Sequence, residues 1–296
     1  YINQTVVSFA RLGCGDVATN SNLLLGGIAL VSSDDCDIRI SDVVSHARFM
    51  LGGNNVTSAH VVAERLTFDS APGQLLVPQG FLQDKANNTL VIRDVAKIVD
   101  GGVATVAASD GVMKNAAGPT FVLSNVTGVN ATAASVAGFY DLGMLSVNGT
   151  FDLARYTSAP LLPGDAPSLP QSRAMTNAAF NWLASNATNP RVSIRDAALT
   201  AGAIGAASMS GDAVVTIADI SQCSKNVLRY AGQSATRMAL TVSGLDDADG
   251  CGEKALDKAV DSAATLSDST GWRGRTFLGL AQYSRGAAIT LRNVWA

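Results

Sequence analysis

Charged and aromatic side chains are scarce in this chain of 296 residues. Asp, Glu, Lys and Arg together make up 15% of the sequence and aromatic residues 6%, and the formal net charge is −3. A basic surface that could neutralise the phosphates of nucleic acid or an anionic membrane is therefore not expected. The longest apolar run, residues 23–31, is shorter than the roughly 18 to 20 residues of a membrane helix and contains Gly26 and Gly27. We expect no nucleic-acid partner and no membrane span in this chain.

Histidine is also rare, and only His46 and His60 are present. Two histidines cannot build a strong histidine metal site. The segment 246–253, Asp-Asp-Ala-Asp-Gly-Cys-Gly-Glu, is similar to a calcium loop, but it places Leu245 and Leu256 at the first and last ligand positions. No glycine-rich phosphate-binding loop with a lysine is found. The sequence thus predicts neither a cofactor nor a metal site.

The four cysteines form two local pairs, one near each end of the chain: Cys14, Cys36, Cys223 and Cys251. This even number suits two disulfides in an oxidising compartment, and the connectivity stays open. Four buried thiols are the alternative, because free cysteine is a common core residue.

The N-glycosylation pattern Asn-x-Thr occurs seven times, whereas about three occurrences of Asn-x-Ser/Thr would be expected by chance. The asparagines are Asn3, Asn55, Asn87, Asn125, Asn130, Asn148 and Asn186. We interpret the excess as glycosylation of an extracellular or cell-surface protein that passes through the secretory pathway. The alternative is that Asn and Thr abound because turns and strands favour them.

A hexapeptide of the form apolar, any, apolar, any, Asp/Asn, apolar returns along the whole chain. Its six clear copies begin at Ile38, Leu90, Phe121, Val192, Val215 and Ile289. Weaker copies begin at Leu12, Val61, Leu145, Leu240 and Ala264. The spacing averages about 25 residues if one degenerate copy is placed near residue 172, which predicts about 12 coils.

Each copy alternates apolar and polar positions, as a strand does when one face packs on a core and the other meets water. A strand that recurs once per turn can stack on itself, so the repeat predicts an all-β, right-handed parallel β-helix. The Asp or Asn at the fifth position, with Gly149 and Gly244 in the same place, is expected to end the strand in a left-handed backbone conformation. A pair of antiparallel sandwiches is the competing architecture, but it gives no reason for a period of 25.

We assign residues 1–296 to a single β-helix domain with two excursions, at about 157–186 and 246–264. Short helices are expected near Met175 to Ala184 and within Glu253 to Val260. The proline cluster at 159–170 lies in the first excursion, and an interdomain linker is the alternative there. Neither end has the polar cap that a solenoid needs, so we expect a segment of a longer chain, or ends covered by further β-helix segments or other protein subunits.

Polysaccharide cleavage must be considered because pectin lyases, polygalacturonases and phage tailspike hydrolases are β-helices. The acidic residues before His46 could provide a catalytic pair, and Asp34-Asp35 resembles the acidic pair of polygalacturonases. The family's Asn-Thr-Asp, Gly-His-Gly and Arg-Ile-Lys motifs are absent from this sequence. A solvated acidic loop beside Cys36 is therefore the preferred interpretation, and Asp34, Asp35 and His46 remain weak catalytic candidates.

The strand copies at Asn88–Val95 and Pro119–Thr127 resemble the degenerate coils of right-handed, pectin-lyase-like β-helix surface proteins, such as the dispersed gene family surface proteins of trypanosomes. The resemblance covers most of the chain, and it implies a large glycosylated surface or secreted protein without known catalytic residues. We expect a non-catalytic structural or adhesive component, able to form filaments and to contact glycans. A polysaccharide-cleaving enzyme, either a pectin-lyase-like lyase or a glycoside hydrolase, is the alternative.

Overall fold

The structure is a computed structural model that describes only part of the chain. The described residues are 2–3, 6–10, 13–14, 27–31, 33–34, 37–45, 49–54, 57–68, 75–77, 80–97, 106–108, 111–131, 139–158, 180–199, 205–223, 228, 231–245, 255–271 and 280–295. Before residue 37 and at several strand ends, the description covers the backbone but not the side chains.

The described residues form strands and turns, and no helix is found among them. The strands are β1 Ile2–Asn3, β2 Val6–Ala10, β3 Gly13–Cys14, β4 Gly27–Val31, β5 Ser33–Asp34, β6 Asp37–Ser45, β7 Phe49–Asn54, β8 His60–Phe68, β9 Leu75–Val77, β10 Thr89–Lys97, β11 Val106–Ala108, β12 Thr120–Ala131, β13 Phe139–Tyr140, β14 Thr150–Ser158, β15 Phe180–Asn181, β16 Arg191–Leu199, β17 Val214–Cys223, β18 Ala239–Leu245, β19 Ala263–Ser269 and β20 Ala288–Val294.

Eleven of these strands stack in parallel to form the main face of a β-helix. Their order is β2-β6-β8-β10-β12-β14-β16-β17-β18-β19-β20. A second face contains β4, β7, β9 and β11, and it joins the main face through the far end of β12. The all-β parallel β-helix predicted from the repeat is confirmed.

The apolar positions of the repeat lie in register and point into the core. Ile92 lies opposite Leu123, Leu123 opposite Leu153, and Ile194 opposite Ile217, all with 0% exposure. Each buried side chain of this kind contributes about 2 kcal/mol relative to an exposed one. Because the same position is filled in every coil, the core is one continuous apolar cluster along the column.

The fifth position of the hexapeptide has a left-handed backbone in ten successive coils. Its φ is 57° at Asp42, 55° at Asp94, 53° at Asn125 and 62° at Gly244. Arg65, Arg155, Asp196, Asp219, Asp268 and Asn293 share this conformation. The predicted conformation is confirmed, but the prediction that it ends the strand is wrong. The residue turns a corner within the strand, and pairing resumes one residue later, as at Val95 and Val126.

Two weak copies of the hexapeptide were assigned to the wrong residues. In the coil that contains β14, residues 145–149 lie in the turn and bridge before the strand, and Arg155 rather than Gly149 occupies the left-handed corner. At the start of the chain, Val7 and Phe9 lie opposite Ile38 and Ile40, so the first copy begins at Val7 and not at Leu12.

The additional coil predicted near residue 172 is not part of the column. β14 pairs directly with β16, with Thr150 opposite Arg191 and Leu153 opposite Ile194. One long coil therefore replaces the two predicted periods, and the column has eleven strands. Residues 159–179, which contain the proline cluster and most of the first excursion, lie outside the described residues.

Both predicted short helices are wrong wherever the structure describes them. Trp182 and Ala184 have positive φ, and Phe180–Asn181 is a strand. In the second excursion, Leu256 and Lys258 have positive φ, so 255–258 is a turn of the regular coil. Alanine-rich composition favoured a helix here, but the hydrogen bonds to neighbouring coils override that propensity.

The turn before each main strand from β10 to β20 is a second repeat, which the hexapeptide does not predict. It places left-handed residues 12, 10 and 7 positions before the corner residue of the strand. In the coil that ends at Asp94 these are Leu82, Asp84 and Asn87, with φ of 57°, 59° and 56°. The same three spacings recur in each of the eight coils from the one that contains Asp94 to the one that contains Asn293. Four of these left-handed positions hold glycine: Gly118, Gly143, Gly232 and Gly286. We call this segment the turn motif.

In the turn motif, backbone N–H groups of left-handed residues donate hydrogen bonds to both neighbouring coils. Met113 N–H donates to the Phe81 carbonyl of the preceding coil at 2.8 Å, whereas Asn115 N–H donates to the Met144 carbonyl of the following coil at 2.7 Å. N–H groups two positions apart are thus paired with opposite neighbours, which avoids the cost of leaving backbone groups unpaired.

The left-handed residues also hydrogen-bond through their side chains from one coil to the next. Asn115 donates to Asp84 at 2.9 Å, and Asn125 donates to Asp94 at 2.7 Å. Arg65 makes two bonds to Asp42, at 2.7 and 3.0 Å. Each of these pairs joins a carboxylate to an amide or a guanidinium, which avoids like charges in contact.

Lys258→Gly should raise the free energy of unfolding by about 0.5 kcal/mol. Lys258 is exposed with φ of 56°, and Gly removes a left-handed penalty of about 1–2 kcal/mol while increasing the entropy of the unfolded chain. Val260→Gly in the same turn, where φ is not positive, is the matched control and should lower stability by about 1 kcal/mol. Urea unfolding midpoints measure both, and a lower midpoint for Lys258→Gly would contradict the interpretation.

Asn115→Asp should lower stability by about 0.5–1 kcal/mol at pH 7, because it places a second carboxylate against Asp84. Leu145→Asp is the control. Leu145 occupies the next left-handed position of the same ladder, is 44% exposed and has neutral asparagines at Asn115 and Asn186 on either side. Aspartate tolerates this backbone, so the control should be neutral or stabilising. Equal effects of the two substitutions in thermal melts would argue against charge repulsion.

Candidate functional site

Of the three weak catalytic candidates predicted from the sequence, the structure describes one. Asp34 lies in β5 opposite Asn3, with its backbone alone described, and Asp35 and His46 lie outside the described residues. His60 is exposed at the start of β8. The acidic cluster before His46 therefore stays a prediction.

No metal site is formed in the part of the chain that the structure describes. No group of three His, Cys, Asp or Glu side chains there could hold an ion. The calcium-loop-like segment 246–253 lies outside the described residues. No helix in the described ranges is long and apolar enough to cross a membrane.

The cysteine pairs remain predictions. Cys14 lies in β3 and Cys223 at the end of β17, and the side chains of both are undescribed. Cys36 and Cys251 lie outside the described residues.

Four of the seven glycosylation patterns have a structural explanation. Asn87, Asn125, Asn148 and Asn186 all have left-handed backbones, with φ between 52° and 56°. Asparagine is one of the few residues that adopts this conformation easily. The threonine two residues later falls in a strand or bridge, which favours β-branched side chains. The repeat thus produces this pattern by itself, and glycan occupancy stays a prediction.

The remaining three patterns are less well placed. Asn3 and Asn130 lie in β1 and β12 with undescribed side chains, and Asn55 lies outside the described residues.

A shallow groove of about 390 Å³ crosses the outer side of β14, β16 and β17. Its floor is a grid of outward-facing positions. Thr150 and Val214 flank Arg191 on the adjacent strands, and Asp152 and Thr216 flank Ser193 in the same way. The small Ser193 at the centre, between longer side chains, creates the depression. The volume lies within the range of sites for small ligands, about 300–1,000 Å³.

Two guanidinium groups and one carboxylate set the electrostatics of this outer groove. Arg195 pairs with Asp152 at 3.1 Å, and the two side chains are 47% and 33% exposed. Arg191 lies at the other end of the same strand segment, and no ion pair joins it to an acidic side chain in the described ranges. The groove therefore carries one positive charge in excess, and its guanidinium groups suit a carboxylate or sulfate.

Comparison with family models, curated proteins and solved structures found no match to this chain.

Among its described lining residues, the groove lacks the carboxylate pair that glycoside hydrolysis ordinarily uses. Asp152 is the one acidic side chain that the structure describes in this lining, and Arg195 holds it in an ion pair. The described lining is therefore better suited to binding than to acid–base cleavage. The groove has no signal in the sequence, because its residues come from three coils and share no motif.

Beyond the groove, the outer face from β17 to β20 carries small, mainly uncharged side chains. Thr216, Thr241, Thr265 and Thr290 lie opposite one another in four successive strands. Ala239, Ala263 and Ala288 form the row beside them. This part of the face therefore presents rows of hydroxyl and methyl groups.

A buried carboxylate lies on the outer face at the other end of the column. Glu64 is 4% exposed at its side chain and accepts a hydrogen bond from Arg93 Nε at 2.6 Å, and Arg65 Nη1 lies 3.0 Å from its other oxygen. Burial alone would raise the pKa of Glu64, but the hydrogen bonds and charges of Arg93 and Arg65 outweigh it and hold that pKa below its usual range.

The last coil leaves inward-facing side chains uncovered. Ile289 is 38% and Leu291 48% exposed, whereas Ala264 and Leu266, their counterparts one coil earlier, are 3% and 1% exposed. In the described residues β19 is the one partner of β20, and no other strand among them pairs with the far edge of β20. Such an edge is a template for a further strand.

Glu64→Gln should lower stability by about 1 kcal/mol at pH 7 and by much less at pH 3. The folded-state pKa is depressed, so the carboxylate contributes stability that is present above the unfolded pKa of about 4.3 and is lost as pH falls through the folded pKa. Urea unfolding at both pH values measures the difference. The same loss at pH 3 as at pH 7 would show that the contribution is not ionic.

Proposed function

We propose that this chain is a non-catalytic structural or adhesive component of an extracellular or cell-surface assembly. The observation that supports the proposal is the uninterrupted column of eleven in-register parallel strands with one continuous core. Ten strand spacings of about 4.8 Å give a rod about 48 Å long. A rod of this kind presents side chains at fixed intervals along a surface, as an adhesive or scaffolding protein requires.

The outer groove supports the adhesive part of the proposal. Arg191 and Arg195 offer guanidinium groups to an acidic ligand, and Thr150, Ser193 and Thr216 offer hydroxyls beside them. Glycans carry the acidic groups and hydroxyls that such a surface binds. The similarity to β-helix surface proteins, including those of trypanosomes, belongs to the same proposal and rests on the repeat.

Extracellular location is part of the proposal and rests on the cysteine pairs more than on the glycosylation patterns. The backbone of the coil accounts for four of those patterns, so their number alone carries little weight. Intact-mass analysis of the native protein, with surface labelling of the source cells, tests location, glycans and disulfides together. We expect surface exposure, whereas a reduced, unmodified intracellular protein would overturn this part.

Polysaccharide cleavage is the second candidate, and the observation that favours it is an acidic residue, Asp152, in a groove with two arginines. An enzyme of this kind would release new reducing ends or unsaturated products from its substrate. Binding without either product would favour the adhesive function.

Arg191→Ala and Arg195→Ala should each weaken binding of an acidic polysaccharide such as alginate by about tenfold, because each removes one charge-assisted contact. Arg292→Ala is the matched control, since Arg292 is an exposed outward-facing arginine on β20 outside the groove. Binding is measured by pull-down and calorimetry, with neutral amylose as a second ligand, and product release by a reducing-end assay. Binding that the groove variants leave unchanged, or release of products, would contradict the proposal.

A further inference from the structure

Three exposed apolar side chains lie close together on the turn edge of the column. Leu145 and Val147 belong to the turn motif of one coil and are each 44% exposed, and Met209 belongs to the turn motif two coils later and is 47% exposed. Ser146, between the first two, is buried, so its neighbours face outward. We call these three side chains the turn patch. Clustered apolar groups on an exposed surface indicate a contact.

The backbone of the repeat does not explain the turn patch. Leu145 and Met209 both occupy the second left-handed position of the turn motif, with φ of 60° and 54°. Asp84 and Asn115 occupy this position in earlier coils, and both residue types adopt it easily. Leucine and methionine do not, and their exposed side chains gain little from burial in the coil. Their presence points to a contact outside the coil itself.

The coil between the two places a glycosylation pattern at the centre of the turn patch. Asn186 holds the second left-handed position there, so it lies between Leu145 and Met209. Backbone hydrogen bonds fix this order. Leu145 N–H donates to the Ser185 carbonyl at 2.9 Å, and Asn186 N–H donates to the Ser208 carbonyl at 2.9 Å.

The threonine of the pattern faces the same way as the asparagine. Thr188 is exposed and pairs with Val147 on one side and Gly211 on the other. Ala187 is buried between Asn186 and Thr188, which places both outward. A Cβ added at Gly211 would meet no atom of the described chain within 4 Å. The surface beside the pattern therefore has room for a bulky group.

The other glycosylation patterns with described side chains have different surroundings. Asn125 and Asn148 take part in side-chain ladders with adjacent coils, through hydrogen bonds of 2.7 and 2.9 Å. Asn87 has the same left-handed backbone, but Ser58 and Gly118 occupy its position in the neighbouring coils. None of these three lies between two apolar side chains in the described ranges.

We propose that Asn186 is glycosylated and that the first sugar of the glycan packs on Leu145 and Met209. The Nδ2 atom forms a bond to the anomeric carbon of an oligosaccharide carried on a polyprenyl diphosphate, the nitrogen loses one proton, and the diphosphate leaves. The C–H face and acetyl methyl group of an N-acetylhexosamine are apolar and cover both side chains. The inference rests on the proposed passage through the secretory pathway and adds which asparagine is modified and what its glycan contacts.

Glycopeptide mapping of the full 296-residue chain, secreted from cultured eukaryotic cells behind a cleavable leader, tests occupancy. We expect a glycan on Asn186 in most molecules, its loss in Thr188→Ala and its retention in Thr188→Ser. An unmodified Asn186 in the secreted protein overturns the inference. Failure of the same protein to bind acidic polysaccharide would contradict the adhesive function and leave the glycan assignment intact, so the two proposals can fail separately.

Thermal melts of the secreted protein test whether the glycan packs on the fold. Thr188→Ala should lower Tm by about 2–4 °C more than Thr236→Ala does. Thr236 is the matched control, because it occupies the same bridge position two coils later and Ser234 there excludes a glycosylation pattern. Equal losses in the two variants would contradict packing of the glycan.

Coupling between the glycan and the turn patch identifies the contact. Leu145→Ser and Met209→Ser should each lower Tm in the glycosylated protein and leave it nearly unchanged in the Thr188→Ala background. Val260→Ser, at an exposed apolar residue of the turn motif two coils beyond Met209, is the control and should have equal effects in both backgrounds. Circular dichroism confirms that each variant folds. Equal effects of Leu145→Ser and Met209→Ser in both backgrounds would overturn the contact.

Trimming shows which part of the glycan is responsible. An endoglycosidase that leaves only the first sugar on Asn186 should preserve both the Tm and the coupling to Leu145 and Met209. Loss of the coupling after trimming would overturn the assignment of the contact to the first sugar.

Discussion

Hydrogen bonding of the backbone from coil to coil is the constraint on which the rest of this structure depends. Every coil has to direct N–H and C=O groups along the column, both in its strand and in its turn. In the turn motif this is possible only with left-handed residues at three spaced positions, and the strand adds a fourth at its corner. The core can then repeat the same apolar positions in every coil, because the backbone returns to the same place each time.

The left-handed positions also explain several features of the amino-acid sequence. One backbone conformation accounts for three of them. These are the Asp, Asn and Gly at the strand corner, the side-chain ladders such as Asp94 with Asn125, and four of the Asn-x-Thr patterns. Other left-handed positions hold Leu82, Met113 or Trp182, which are poor residues for this conformation. There, packing and hydrogen bonds to both neighbouring coils compensate for the strain.

The outer face of the column is free from these constraints, and its chemistry varies from coil to coil. One face of one sheet carries three different surfaces: Glu64 with its two arginines, the outer groove around Ser193, and the rows of threonine and alanine. Residues that differ in this way on a regular scaffold are where binding is expected to reside.

The amino-acid sequence by itself determined the strand of most coils, because the alternation around Ile92, Leu123 or Ile217 follows from the two faces of a strand and recurs in a recognisable hexapeptide. It misplaced the strand in the coils of β2 and β14, where the hexapeptide is weak. The sequence could not determine the turn motif, since left-handed positions filled by Leu, Met and Ala have no sequence signal. It also could not determine the length of the coil that contains Asp196, since spacing alone does not distinguish one long coil from two. The outer groove was likewise decided by the tertiary structure, which brings Asp152, Arg191 and Thr216 together from three coils. Stacking places residues 23 to 41 positions apart in the sequence on directly paired strands, and this proximity is not visible in the sequence.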